Sequence, residues 1–257
     1  MNLALVNVKG GVGKTTAAVS LAAAFSGSGL KVLVVDLDPQ GSASFSLGTT
    51  RQQADPSIAE LLRGKVSAAE AIRPTDVPGV DLIPASLRLV GMESTFPRKD
   101  EPEKKLKAAL APIRRRYDVI VMDCPPGMSF LTLNALAAAT AYVVPIVPNP
   151  LELDALSAFF LLLDAAREQI GKLPELLGIL LTKVDNRTRV THEVVKVLRD
   201  AYGTQVFKTE IPINIRLAEA PSEGATIFDF EESSTGAHAY SRLGGEVLRR
   251  ARRSELL

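Results

Sequence analysis

The 257-residue sequence contains one cysteine, Cys124, and no tryptophan. A single thiol excludes an internal disulfide framework and points to a reducing, cytoplasmic setting. It also excludes a cysteine-ligated metal or iron–sulfur site built within one chain, leaving only a cluster shared between subunits. The two histidines, His192 and His238, form no metal-binding pattern and are read as structural or surface residues. An excess of either charge is missing as well: 30 Lys and Arg face 29 Asp and Glu, a formal net of +1. No global basic field announces a nucleic acid, so any DNA contact must come from a local patch. No apolar run reaches transmembrane length, and the opening Met1–Val8 is too short for a signal-peptide core. There is no internal repeat, low-complexity segment or domain boundary, so residues 1–257 are expected to form one domain. That length allows a core on both faces of a sheet.

The most informative stretch is Lys9-Gly10-Gly11-Val12-Gly13-Lys14-Thr15-Thr16, between the apolar run Leu3–Val6 and an alanine-rich helical pattern from Ala17 to Phe25. It reads as a strand, a glycine loop and a helix N-terminus. Gly10, Gly11 and Gly13 let the backbone take positive φ and aim N–H groups at phosphate oxygens. A helix starting near Gly13 adds unpaired donors and its positive dipole end. Lys14 reaches the outer phosphates, Thr15 presents a hydroxyl to Mg²⁺, and Thr16 stands one residue on, within range of an inner phosphate. The pattern departs from the usual phosphate loop because Val8 occupies the first glycine position and Lys9 follows it.

Further strands are expected at Val32–Val35, Gly79–Pro84, Tyr117–Asp123, Ala141–Val147, Leu176–Thr182 and Gln205–Glu210, alternating with helices. Short helices are expected across Thr49–Arg73. Longer ones are expected over Asp100–Arg116, Ser129–Ala139, Leu151–Ile170 and from Ser233 or Ser234 to Arg253. The predicted class is α/β: a doubly wound, largely parallel sheet flanked by helices. Such sheets bind ligands at the C-terminal ends of their strands. There the second strand delivers Asp36-Leu37-Asp38-Pro39-Gln40-Gly41, although an Asp before Pro is equally an ordinary turn former. The strand-end Asp123 suits a carboxylate that holds a Mg²⁺-bound water. Cys124 beside it reads as a small packed residue. Arg114-Arg115-Arg116 reads as a solvated helix end.

The octet from Lys9 to Thr16 resembles the deviant Walker A motif of the P-loop family that includes ParA-type partition ATPases, MinD-type division-site ATPases and nitrogenase iron proteins. The lone cysteine argues against the last. The segments Asp36–Gly41, Asp123–Gly127, Lys183–Thr188 and Ile211–Ser222 resemble the ParA (Soj-like) group in particular. That resemblance implies an ATPase with ATP and Mg²⁺ as cofactors. Lys9, Gly10, Gly11, Val12, Gly13, Lys14, Thr15 and Thr16 would bind ATP, with Pro212 and Asn214 at the adenine. Thr15, Asp38 and Asp123 would hold the metal, partly through water, and Asp36 would lie further out. Lys9, Lys14 and Asp38 would be catalytic, with Asp38 positioning the attacking water.

The resemblance further implies an ATP-bound homodimer in which Lys9 reaches the other subunit's nucleotide and Gly10 must stay small. Part of the helix 151–170 would lie near that interface. Arg187 and Arg216 would contact double-stranded DNA nonspecifically, and a ParB-type centromere-binding partner would stimulate hydrolysis at the nucleoid. Many relatives carry Arg where Ile213 stands, which weakens the expected DNA surface. The alternative is a MinD-like membrane-associated or protein-cluster-positioning ATPase. From Tyr240 onward five Arg face two Glu, and such a patch touches phosphates of DNA or of anionic lipid. The absence of Phe and Trp from that helix, and the pair Gly244 and Gly245, speak against a membrane anchor.

Overall fold

In the computed structural model, which describes residues 1–97 and 101–257, the short apolar runs form β1 (Asn2–Leu5), β2 (Val32–Asp36), β4 (Val80–Ile83), β5 (Val119–Asp123), β6 (Ala141–Ile146) and β7 (Glu175–Leu181). With β3 (Arg73–Pro74) they make one sheet in the order β3-β4-β2-β5-β1-β6-β7. Every pairing is parallel except β3 with β4. Side chains alternate between faces along each strand. Leu3, Leu5, Val32, Val34, Val119, Val121 and Val143 therefore enter one apolar layer. Ala4, Leu33, Val35, Ile120, Met122 and Val144 enter the other. Both faces are covered, as near-continuous Val/Ile/Leu strands require. Each fully buried Leu, Ile or Phe contributes roughly 1.5–3 kcal/mol.

One layer is closed by α1 (Lys14–Gly27) and α11 (Thr235–Arg253), with α2 (Ser42–Ser46) and α10 (Ile227–Glu231) nearby. Gly244 matters here: a Cβ at that position would meet the Ala24 Cβ at 2.9 Å, so the missing side chain lets the two helices approach. The other layer holds α3 (Ile58–Leu62), α4 (Ala68–Ala71), α5 (Lys105–Leu110), α6 (Phe130–Ala138), α7 (Pro150–Ile170) and α8 (Arg189–Tyr202). The short α9 (Arg216–Glu219) precedes α10. Ser57 starts α3 through a capping box with Glu60, and Ser234 caps α11. Among the described residues, no helix is long and apolar enough to cross a membrane.

Two expectations need correction. The single helix over Asp100–Arg116 is instead a 3₁₀ turn, α5, and a second 3₁₀ turn at Arg114–Arg116; Asp100 itself lies outside the described residues. Pro112 has no N–H to continue the ladder, and α5 ends two residues before it. The expected strand Gln205–Glu210 keeps only isolated bridges, Ile179 with Val206 and Val184 with Pro212. The Lys208 and Thr209 amides turn away from the sheet and donate to the Glu246 carboxylate, both at 2.9 Å.

Candidate functional site

The parallel order brings the C-terminal ends of β1, β2 and β5 side by side, with Leu5 and Asp36 both in register with Asp123. From β1 the chain passes through Asn7, whose amide donates to the Pro145 carbonyl (2.7 Å) and whose oxygen accepts the Lys9 N–H (3.0 Å). These bonds fix the start of the loop. Gly11 (φ 75°) and Gly13 (φ 85°) take the left-handed conformation, and Gly13 caps α1. Gly10 does not, and a Cβ there would meet nothing within 4 Å. No strain or clash within the subunit requires glycine at position 10.

Lys14 is buried, and its ammonium donates to the Lys9 carbonyl at 2.7 Å. Burial lowers its pKa, while Asp123, Cys124 and Asp38 pull it back up. Asp123 is fully buried, and neither carboxylate oxygen has a hydrogen-bond partner. Burial and then repulsion from Asp36 push its pKa well above the usual range. Asp36 is equally buried and is pushed up to about 6 by that burial, against the opposing bonds from Ser44 and Asp38. Its Oδ1 accepts the Asp38 N–H (3.1 Å), and its Oδ2 accepts the Ser44 N–H (2.8 Å) and hydroxyl (2.7 Å). Asp38 is oriented by the Gln40 amide, which donates to its Oδ1 at 2.9 Å.

Of these groups, Lys14 and Asp38 border a cleft of about 390 Å³, while Asp36 and Asp123 are not among its lining residues. Its wall includes Gly10, Gly11, Gly13, Lys14, Thr15, Thr16 and Asp38, with Pro126 from the turn after β5. A buried carboxylate beside the Thr15 hydroxyl is an oxygen set that a hard divalent cation satisfies, with the Lys14 ammonium left to meet phosphate. Among the described residues no three His, Cys, Asp or Glu side chains converge to hold a metal alone. A cation here would take phosphate and water oxygens as its remaining ligands, as Mg²⁺ does.

Other expected residues stand elsewhere. Lys9 lies against the start of α7, where its ammonium meets Glu152 Oε1 at 3.0 Å and the Leu151 carbonyl at 3.3 Å. Pro212 and Asn214 are not among the residues lining the cleft; Leu217, Ala220, Pro221 and Ile227 are. Asn214 instead donates to the Thr235 hydroxyl (2.7 Å) and accepts the Leu217 N–H (3.2 Å). Arg187 grips Asp185 with two bonds of 2.8 Å, holding that carboxyl down at about 2. Arg216 is shared between Glu219 (2.8 Å) and Glu231 (2.7 Å). Of the C-terminal arginines, Arg250 is half-buried and folded back on the chain: it donates to the Leu177, Gln205 and Val206 carbonyls and to Glu246, and stacks 4.1 Å over the Phe207 ring.

A glycine loop closed on a buried lysine between the first strand and first helix of a parallel sheet, facing a strand-end aspartate, makes the chain a P-loop nucleotide hydrolase. The AAA domain family model matches residues 2–174. The chromosome-partitioning ATPase Soj of Thermus thermophilus is 43% identical over 248 residues, covering 96% of this chain and 95% of the relative. The chromosome partitioning protein ParA of Myxococcus xanthus is 37% identical over 248 residues, covering 96% and 88%. A solved structure described as cobyrinic acid a,c-diamide synthase from Mycobacterium smegmatis, with bound ATP analogue and magnesium, superposes with a TM-score of 0.85. It is 34% identical and covers 98% of this chain and 96% of that one. The chain belongs to the ParA/Soj family of P-loop ATPases.

Proposed function

We propose that this chain is a DNA-partition ATPase in which Mg-ATP closes two copies face to face and the closed dimer binds duplex DNA without regard to sequence. A ParB-type centromere-binding partner then stimulates slow hydrolysis and releases the dimer. The whole chain, 1–257, is read as one ATPase domain acting in the cytoplasm at the nucleoid. The observation that carries this reading is the buried Asp123 carboxylate, without a hydrogen-bond partner of good geometry, beside Lys14 and Thr15 of the glycine loop.

In this reading Lys14 and the loop N–H groups from Gly10 to Thr16 hold the phosphates, with Val12 contributing through its backbone. The Thr15 hydroxyl, with Asp38 and Asp123 partly through water, would hold Mg²⁺, which would supply charge neutralisation on the phosphates. Asp38, already turned by the Gln40 amide, orients the attacking water. The base lies against Leu217, Ala220 and Pro221, with Pro212 and Asn214 at the edge of the same segment. Lys9 leaves Glu152 for the nucleotide of the second copy. Gly10, free of any need for glycine inside the subunit, stays small for that approach.

Two experiments test this reading. Gly10→Val is expected to abolish ATP-dependent dimerisation in analytical ultracentrifugation while leaving the monomer folded, and an unchanged dimer would count against the face-to-face arrangement. The second test measures binding to random-sequence duplex with ATP, ADP and no nucleotide. Binding should need ATP and weaken with salt, and Arg216→Glu should lower it by roughly tenfold or more. An ATP-dependent dimer that ignores DNA would move the reading to a protein cluster as cargo.

A further inference from the structure

Thr182 and Lys183 follow β7 and meet the glycine loop from 170 residues away in sequence. The Thr182 hydroxyl is buried and donates to the Val12 carbonyl at 2.8 Å, with the Ile146 carbonyl at 3.2 Å. Lys183 itself takes the left-handed conformation, φ 50°, which side-chain-bearing residues rarely adopt. Its backbone is held there from the next residue on, where the Val184 N–H donates to the Ile211 carbonyl (3.0 Å) and the Val184 carbonyl accepts from the Ile213 N–H (3.2 Å). Held so, the side chain lies along the wall of the nucleotide cleft and its ammonium donates to the Gly11 carbonyl at 2.8 Å.

That contact has a chemical use. Gly11 stands mid-loop at φ 75°, and a bare carbonyl oxygen near a polyphosphate opposes binding. An ammonium on that oxygen screens its negative end and restrains the Gly11–Val12 peptide plane. It also adds a second lysine to the cleft wall beside Lys14. Lys14 already donates to the Lys9 carbonyl, so two lysines fasten two carbonyls of the same short loop. We propose that Lys183 is a positioning residue for nucleotide binding, shaping the phosphate loop through the Gly11 carbonyl and setting the affinity of the cleft for ATP.

The inference rests on reading the cleft as an ATP site. The full-length protein, Lys183→Ala, Lys183→Arg, Lys183→Met and Lys14→Ala are titrated with a non-hydrolysable ATP analogue and Mg²⁺ by calorimetry, with steady-state hydrolysis in parallel. Removal of a charged hydrogen-bond donor is expected to raise Kd for Lys183→Ala by roughly tenfold. Lys183→Met, which keeps most of the stem without the charge, should behave like Ala, and Lys183→Arg should stay within about threefold of wild type. In hydrolysis the change should fall mainly on KM, with kcat at saturating ATP the smaller effect. Lys183 is exposed, so loss of fold in Lys183→Ala is not expected, and Lys183→Met reports the same charge if it occurs. Wild-type affinity in Lys183→Ala, or an equal loss in the Arg variant, overturns the inference. A wild-type protein that binds the analogue no better than Lys14→Ala overturns the ATP reading and the inference with it.

Discussion

Asp123→Asn is expected to raise the melting temperature of the nucleotide-free protein while cutting Mg²⁺-dependent ATP hydrolysis by roughly 100-fold. The two effects have one cause. Asp123 is fully buried with no hydrogen-bond partner of good geometry on either oxygen, and the nearby Thr15 hydroxyl and Lys14 ammonium offset only part of its desolvation. Replacing it by a neutral amide removes that burden, an effect of about 1–3 kcal/mol, or roughly 2–4 °C for each kcal/mol in a chain of this size. The same replacement removes the charge that would hold a metal-bound water.

The pH dependence follows from the sign of the shifts. A carboxylic acid whose folded pKa lies above its unfolded value costs nothing below the unfolded value. Its penalty grows as pH rises and is complete above the folded pKa. For Asp36, raised from 3.8 to about 6, that window runs from about pH 4 to pH 7 and the penalty is about 3 kcal/mol. Asp123 is raised by the same burial and by Asp36 itself, so the two titrate together. Melting curves between pH 5 and 8 should show the wild type losing stability as pH rises, with a shallower loss in Asp123→Asn. A lower melting temperature in the variant across that range would count against the account.

Arg250→Ala is expected to destabilise the fold by about 1–3 kcal/mol in urea unfolding, the cost of removing a half-buried charged donor and stranding its partners. The guanidinium serves three carbonyls and the Glu246 carboxylate, and it covers the Phe207 ring. Glu246 in turn receives the Lys208 and Thr209 amides that an edge strand would have paired. The pair therefore stands in for a sheet ladder along residues 205–210. A DNA-contacting arginine would behave differently, leaving stability intact and lowering affinity for duplex. Unchanged unfolding in Arg250→Ala with weakened DNA binding would reverse the assignment.

These cases show where a sequence is legible. The strands declared themselves because continuous apolar runs ending in Asp36 and Asp123 admit few alternatives. The glycine loop did so because its residue types have little other use at a strand–helix junction. Asp100–Arg116 misled because its apolar spacing outweighed Pro112. Residues 205–210 misled because their partner is a glutamate nearly forty positions away. Helix α8 went unread although Val190, Val194, Val197 and Leu198 carry helical spacing, the signal that would have found it. Lys183 stands out in the sequence only as part of the segment Lys183–Thr188, and Glu152 not at all. No local pattern reveals a side chain that reaches across the sheet, although a lysine at the C-terminal end of a parallel strand was a pointer.

The Lys9–Glu152 contact bears on how sharply such a machine decides. A lysine idle in solvent would add attraction to any encounter between two copies, with or without nucleotide. In the proposed face-to-face dimer each copy would surrender the 3.0 Å Lys9–Glu152 ion pair before its lysine crossed. What would tip that exchange is the polyphosphate, the richer anion. In that dimer the contact would work as a comparator, weighing a resident carboxylate against a visiting phosphate and answering only to the stronger anion.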